Sequence, residues 1–331
     1  MKEIKLTEAE QRILDDLYGL PKKCSCKKPT HIWIIEWLSS NDRHTGRELH
    51  DWMQERNYSF RSVYCECFSK DKVLAAIERA ATHAEHHGTI PLIHLEAHGS
   101  ENGLSDSSEG ENVLTWAELT KPLQRLNIAT RCNLIVLFSA CKGYTGFISV
   151  FDVFKEKNVE TTKIPALVTA GPLGDSQPKE LFDSMKEFYR RMSENQADFD
   201  NAIESASNEC NCKIKHELAT AFVYDSLLDF LIHSLREDQK KIRFYSVREK
   251  FLKRENKKIL SVEQKETLEK INDPYYQTEF LQKEWDRMFM IDIFPENKKR
   301  FEVGLTNVTK KILDIQKRTT EQPIDSNQAI S

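Results

Sequence analysis

Two short segments of the sequence combine residue types that suit nucleophilic catalysis. One reads HLEAHGS at 94–100, and the other reads LFSACKG at 137–143. A cysteine thiol is mostly protonated at neutral pH, so it needs a neighbouring base to become an effective nucleophile. The imidazole of His98 is a group of the right type to serve Cys141. These residue types predict a thiol nucleophile, Cys141, with His98 as its general base.

A glycine stands close to each of these two residues. Gly99 follows His98 directly, and its lack of a side chain leaves its N–H accessible to a substrate carbonyl. We expect the backbone N–H groups of Gly99 and Cys141 to stabilise the oxyanion that forms when the carbonyl is attacked. His98 alone would be typical of an exposed turn, and Cys141 alone of a buried, inert thiol. Their combination favours catalysis.

The elements that must position these residues alternate along the first 225 residues. Strand-like segments at 31–38, 58–67, 90–97, 133–140, 164–170 and 218–224 predict six strands, and segments with helical spacing lie between them. Strands separated by helices imply parallel pairing with right-handed crossovers. We therefore expect an α/β fold with three layers and a mostly parallel six-stranded sheet. His98 and Cys141 should then emerge at the same edge of this sheet.

The sequence pattern changes after residue 225. Residues 226–318 are rich in Lys and Glu, have scattered aromatic residues and contain no apolar strand run, which predicts a helical C-terminal domain or extension. Residues 1–30 form an N-terminal helix and linker, and 31–225 form the sheet domain. Residues 319–331 have the composition of a disordered tail.

Composition and charge exclude several function classes. The net charge of −4 gives no basic excess for binding nucleic acid, and no apolar run approaches the roughly 20 residues that span a bilayer. The charged N-terminus has no hydrophobic signal core, so we expect a cytoplasmic protein with no membrane partner.

Six of the eight cysteines form Cys-x-Cys pairs, at 24/26, 65/67 and 210/212. This spacing is short for structural zinc, which favours reduced thiols without a metal. A metal cluster built from the pairs at 24/26 and 210/212 stays open as an alternative.

The His-Gly and Ala-Cys-x-Gly elements resemble those of caspase-like cysteine peptidases, in which a histidine lies about 50 residues before a Gln-Ala-Cys-x-Gly element. Ser139 stands where that element has Gln. The sequence is more similar to the CHAT branch, which includes separase-like and bacterial peptidases. The segments 99–104, 114–119, 166–175, 182–189 and 199–206 resemble that branch, and the resemblance covers roughly residues 30–225.

The resemblance implies a caspase-like fold and a reaction that needs no metal and no organic cofactor. It also implies an acidic residue in the loop after the fifth strand that selects Lys or Arg before the scissile bond. Asp175 stands at that place, although Asp175 suits a helix N-cap equally well, and Asp225 after the sixth predicted strand is a rival.

The resulting hypothesis is a cysteine endopeptidase that cleaves a specific protein partner with a Cys-His dyad, after a basic residue. The resemblance implies a role in bacterial antiviral defence or regulated cell death, with a gasdermin-like or signalling protein as substrate and an activating or inhibitory protein as regulator. One alternative is a catalytically inactive caspase-like adaptor that acts through its C-terminal helices. Another is a metal-binding regulatory protein built on the Cys-x-Cys pairs.

Overall fold

The structure is a computed structural model that describes residues 8–18, 26–108, 112–144, 146, 163–194, 198–209, 213–255 and 259–321. The chain divides into two compact units. The sheet unit comprises Lys23–Thr220 and Arg287–Arg300, and the helical unit comprises Met1–Lys22, Ala221–Asp286 and Phe301–Ser331.

The sheet unit is built on a mostly parallel β-sheet with the strand order β2-β1-β3-β6-β7-β8. Strands β1, β2, β3, β6 and β7 pair in parallel, as the alternation of strands and helices predicts. The interior strand β6 is buried at every position, which fits a sheet that is covered by helices on its faces. The strands are β1 (His31–Trp37), β2 (Arg61–Glu66), β3 (Pro91–Gly99), β4 (Gly103–Ser105), β5 (Val113–Thr115), β6 (Ile135–Ser139), β7 (Val168–Pro172) and β8 (Ile214–Leu218).

The prediction of a sixth strand at 218–224 is wrong. The last strand is Ile214–Leu218, which pairs antiparallel to β7, and the chain is helical from Ala219 onward. Buried apolar residues continue past residue 224 with helical spacing. The buried positions on one side of the helix Ala219–Ser234 are Tyr224, Leu227, Leu228 and Leu231. The run is therefore the start of a buried helix.

A small hairpin that the sequence analysis did not predict lies beyond the end of β3. Strand β4 pairs antiparallel to the last two residues of β3, and β5 pairs antiparallel to β4. Each of these strands has only three residues, too few for a period-two pattern to be recognised. The hairpin matters for the site because it continues β3 directly after His98.

Helices flank the sheet, and local capping explains where several of them begin and end. Helix α3 begins after the N-cap Ser69 and ends at Gly88, whose φ of 61° is left-handed. Helix α4 begins with the predicted capping box of Thr115 and Glu118. The helix predicted at 147–157 lies outside the described residues. The helices of this part are α2 (Thr45–Gln54), α3 (Lys70–His87), α4 (Trp116–Ala129), α5 (Pro178–Ser193) and α6 (Phe199–Glu209).

The segment Arg287–Arg300 belongs to the sheet unit although it is distant in sequence. The partly buried guanidinium of Arg300 donates hydrogen bonds to the carbonyl of Cys132, at 3.0 Å, and to Oδ1 of Asn133, at 2.8 Å. Arg131 and Cys132 have positive φ values of 54° and 61°, so this connection into β6 is strained. The guanidinium holds the strained connection in place.

The helical unit confirms the prediction of a helical C-terminal region. Its core includes Trp285, whose indole N–H donates to the carbonyl of Phe301 at 2.7 Å, and a buried contact between Thr278 and Thr309. Within the described ranges, none of the helices has the length and apolar character that a bilayer-spanning segment requires. The helices are α1 (Glu8–Tyr18), α7 (Ala219–Ser234), α8 (Glu237–Glu255), α9 (Val262–Asn272), α10 (Pro274–Met288), α11 (Lys298–Phe301) and α12 (Leu305–Glu321). The first two residues of α7, the last two of α10 and the first three of α11 lie in the sheet unit.

Helix α12 extends to Glu321, so residues 319–321 of the predicted tail are helical. Residues 322–331 lie outside the described residues.

Histidines at the start of β1 and along α3 should make the free energy of unfolding depend on pH. Burial lowers the pKa of His31, as does the positive charge of nearby His83, and burial also lowers the pKa of His83. The unfolded chain binds these protons at about pH 6.5. The stability that comes from the two lowered pKa values is therefore fully present above that pH, and it is lost as the pH falls through the pKa values of the folded state.

Urea unfolding at about pH 7.5 and about pH 5.5 measures this loss. The double variant His31→Asn/His83→Asn should lose part of the pH dependence, whereas the control His86→Asn, on an exposed residue, should keep it. An undiminished pH dependence in the double variant would contradict the assignment.

Candidate active site

The carboxyl ends of β3 and β6 bring the two predicted catalytic residues to one edge of the sheet. The last register pair of these parallel neighbours is Glu96 with Ser139, and His98 and Cys141 each lie two residues further along the chain. Adjacent strands are about 4.8 Å apart, so the two positions lie side by side. Both residues line one groove with a volume of about 200 Å³.

The groove is lined by residues from four separate parts of the chain. It contains three charged side chains besides His98, namely Asp42, Arg43 and Glu96, together with small and apolar side chains. The sequence analysis missed Asp42 and Glu96 as groove residues. Asp42 lies in the loop after β1, so the rule that parallel strands end at the same edge could have found it. The lining residues are Leu38, Asp42, Arg43, Thr45, Glu96, Ala97, His98, Ser139, Ala140, Cys141, Ser176, Pro178 and Leu181.

Cys141 occupies the second position of a tight turn that ends β6. The N–H of Gly143 donates to the carbonyl of Ala140 at 3.0 Å, and Lys142, at the third position, has a φ of 57°. A positive φ at the third position is the mark of a type II turn and normally favours glycine. The turn breaks the strand at Cys141 and leaves its side chain partly exposed in the groove.

The sulfur of Cys141 lies against the segment that leads into α5. The backbone N–H of Ser176 points at Sγ with an N···S distance of 3.5 Å. The thiol of Cys141 in turn contacts the carbonyl oxygen of Ser176, with an S···O distance of 3.8 Å. The backbone of Ser176, two residues before helix α5 begins at Pro178, therefore fixes the position of the sulfur.

Gly99 packs directly against the turn that carries Cys141. A Cβ atom added to Gly99 would overlap the carbonyl oxygen of Cys141. Ser100 and Gly103 form a hydrogen-bonded pair of the β3–β4 hairpin, so the next pair, Gly99 with Leu104, is non-hydrogen-bonded. The N–H of Gly99 therefore points away from β4. The oxyanion role of Gly99 and Cys141 stays a prediction.

His98 lies next to the carboxylate of Asp42. The distance from Nε2 of His98 to Oδ2 of Asp42 is 3.2 Å, and about a third of each side chain is exposed. The contact is at ion-pair distance but lacks the alignment of a straight hydrogen bond. Asp42 is held in turn by Ser39, whose hydroxyl donates to Oδ2 at 2.7 Å.

Glu96 is a buried carboxylate at the floor of the groove. Its two oxygens accept hydrogen bonds from Thr45, at 3.1 Å, and interact with Nε2 of His94, at 2.9 Å. The other ring nitrogen of His94 contacts the hydroxyl of Tyr189 at 2.8 Å. His94 is fully buried in this network and does not line the groove, so His98 is the only histidine among its described lining residues.

The two acidic residues predicted to form a specificity pocket are not brought to the groove. Asp175 is exposed and is not among the lining residues, although its neighbour Ser176 is. Asp225 lies within helix α7, in the helical unit, and does not follow a strand. The rival assignment of Asp225 depended on the sixth strand at 218–224, which is a helix.

The cysteine pairs carry no metal site within the described residues. No group of three or more His, Cys, Asp or Glu side chains is placed there to hold a metal ion. Cys65 and Cys67 are buried free thiols, and burial raises the pKa of Cys67 to about 11. Cys26 is disulfide-bonded, so the expectation of a reduced thiol is wrong for this residue. Cys24, Cys210 and Cys212 lie outside the described residues.

Replacing Gly99 with alanine should disturb the position of Cys141. The added methyl group displaces the turn at 140–143, so we expect a loss of about 1–3 kcal/mol in the free energy of unfolding. The rate at which Cys141 reacts with iodoacetamide, followed by mass spectrometry, should change as well. Gly174→Ala is the matched control, because its Cβ meets no atom within 4 Å. Equal behaviour of the two variants would show that the Gly99 contact is unimportant.

A scan against protein-family models finds no match to this chain, and a search of curated proteins finds none either. The function is therefore inferred from the residues of the groove.

Proposed function

We propose that the protein is a cysteine endopeptidase, with Cys141 as nucleophile and His98 as general base and acid. The observation that carries this proposal is the placement of both residues in one groove, at adjacent ends of parallel strands. The backbone N–H of Ser176 adds support because it donates to Sγ of Cys141 and fixes the sulfur in the groove.

The reaction uses groups that lie at this edge of the sheet. His98 takes the proton of the Cys141 thiol, and the resulting thiolate adds to the carbonyl carbon of the scissile amide. The N–H groups of Gly99 and Cys141 stabilise the oxyanion that forms. His98 gives a proton to the leaving amine as the C–N bond breaks and an acyl-enzyme forms. His98 then takes a proton from water, which attacks the thioester and releases Cys141.

We propose further that the sheet unit has a caspase-like fold of the CHAT type. In support, a mostly parallel sheet carries the histidine and the cysteine after neighbouring strands, in that order along the chain. The cellular role that this fold implies is bacterial antiviral defence or regulated cell death. The substrate would be a gasdermin-like or signalling protein, and another protein would control the activity.

Substituting either catalytic residue should abolish cleavage. Cys141→Ala removes the nucleophile and His98→Ala removes the proton carrier, so both should lose at least about 10³-fold in kcat/KM on a protein substrate. Circular dichroism and urea unfolding should show that the fold is kept. The matched controls Cys65→Ala and His86→Ala remove the same side chains outside the groove and should retain activity once folding is verified. Undiminished turnover by purified Cys141→Ala or His98→Ala would rule out this mechanism.

The proposed preference is for Lys or Arg before the scissile bond. The carboxylates that line the groove are Asp42 and Glu96 rather than Asp175 or Asp225. Arg43, the one cation among the described lining residues, is engaged by Glu48 through two contacts of 2.9 Å and 2.5 Å, which offsets its charge. A groove with net negative charge favours a cationic side chain.

Cleavage-site mapping with a peptide library should therefore show Lys or Arg before the cleaved bond in most products. Asp175→Asn should leave this preference unchanged, because Asp175 does not line the groove. A library profile dominated by acidic or apolar residues at that position would contradict the electrostatic argument.

A second candidate function is that of an adaptor that binds a partner through the C-terminal helices. The observation in its favour is an exposed aromatic group on α10, where Tyr275, Tyr276 and Phe280 are each about half exposed. Trp285 on the same helix and Phe289 just beyond it are buried and belong to cores. In an adaptor, Cys141→Ala would preserve biological activity, whereas substitutions at these three aromatic residues would remove it.

A further inference from the structure

Among the described residues, Asp42 is the acidic neighbour at ion-pair distance from the imidazole of His98. Its carboxylate faces the Nε2 atom of the ring. Oδ2 of Asp42 lies 3.2 Å from Nε2, and that nitrogen is shielded from solvent. Among the residues that the structure describes, Nε2 has no well-aligned hydrogen-bond acceptor, so Asp42 is its nearest candidate partner.

Asp42 is oriented by its own loop rather than by His98. The hydroxyl and the backbone N–H of Ser39 both donate to Oδ2, at 2.7 Å and 3.2 Å, and the N–H of Asp42 donates back to the carbonyl of Ser39 at 3.1 Å. Burial alone would raise the pKa of the Asp42 carboxyl, but the hydrogen bonds from Ser39 and the proximity of His98 outweigh burial and lower it. Asp42 is therefore an anion at neutral pH.

The other charged groups of the groove are engaged elsewhere. Arg43 is bound by Glu48, and Glu96 is bound by Thr45 and His94. Cys141 contacts the backbone of Ser176. Asp42 is thus the charged residue of the groove that is placed to act on the ring of His98.

We propose that Asp42 is a positioning residue that completes a Cys141–His98–Asp42 triad. Its carboxylate keeps a proton on Nε2 of His98 and fixes the plane of the ring. Nδ1 is then the basic atom that exchanges a proton with the thiol and the leaving amine. The effect on catalysis rests on the proposed function, whereas the contact between Asp42 and His98 does not.

The contact itself can be tested by proton NMR of the full chain in a Cys141→Ala background, which is free of any thiolate effect on the ring. An imidazole N–H bound to a carboxylate should give a slowly exchanging, far-downfield signal at low temperature. We expect this signal to disappear in His98→Gln, which assigns it, and in Asp42→Ala, and to persist in the control Asp51→Asn on the exposed surface of α2. A His98 signal that survives Asp42→Ala overturns the proposal, and so does the lack of any such signal.

The catalytic effect can be tested with a peptidyl acyloxymethyl ketone that carries Lys and alkylates Cys141. We expect Asp42→Asn to lower the maximal inactivation rate constant by about 10- to 100-fold, because a misplaced base slows chemistry. The inhibitor KI should rise by less than this factor, since Glu96 keeps one carboxylate in the groove. Asp51→Asn should change neither constant. Asp42→Ala serves as a second variant should Asp42→Asn prove unfolded by circular dichroism.

The outcomes of this kinetic test separate positioning from substrate recognition. A higher KI with an unchanged maximal rate constant would make Asp42 a recognition residue and would overturn the positioning role. If wild-type Cys141 is not labelled at all, the endopeptidase proposal fails, while the NMR signal still decides whether Asp42 holds His98.

Discussion

The structure of the site depends on one constraint, which is that β3 and β6 are parallel neighbours in fixed register. Parallel pairing makes the chain leave both strands at the same edge, and the pairing of Glu96 with Ser139 sets the two exits at the same level. A slip of one residue would turn His98 or Cys141 toward the opposite face of the sheet. The close approach of Gly99 to the carbonyl of Cys141 shows how little space separates the two exits.

Two buried carboxylates lie beneath the N-terminus of α2 and help to fix the loop that carries Asp42. Glu36 and Glu96 are register partners on β1 and β3, so their carboxyl groups lie on neighbouring strands in the interior. Glu36 accepts hydrogen bonds from the N–H of Gly46, at 2.7 Å, and from the hydroxyl of Tyr64, at 2.6 Å. Leaving a buried polar group without its partner typically costs about 1–3 kcal/mol, so the contact with Gly46 fixes the start of α2.

The parallel part of the fold could be predicted because most of its strands are rich in apolar residues and lie between segments of helical spacing. The same rule failed at 218–224, where seven apolar or small residues looked like a strand although the helical repeat continues through Leu231. The placement of His98 and Cys141 in one groove followed from strand order alone. Asp42, Glu96 and Ser176 could not be assigned in the same way, because their roles depend on where loops fold back. The prediction that Asp175 lies in the pocket was wrong for the same reason. Asp175 is exposed, whereas Ser176, the next residue of the loop, lines the groove.

The division of the chain between the two units has a practical consequence for dissecting the protein. The chain leaves the sheet unit after Thr220, returns for Arg287–Arg300 and leaves again. A fragment cut at residue 225 would contain every strand and yet lack Arg300, exposing the carbonyl of Cys132 and the side chain of Asn133 at the entrance to β6. Because Cys141 follows the far end of β6, such a fragment would lose support for the strand that positions Cys141. Removing the segment Arg287–Arg300 can therefore loosen the groove without touching any residue that lines it.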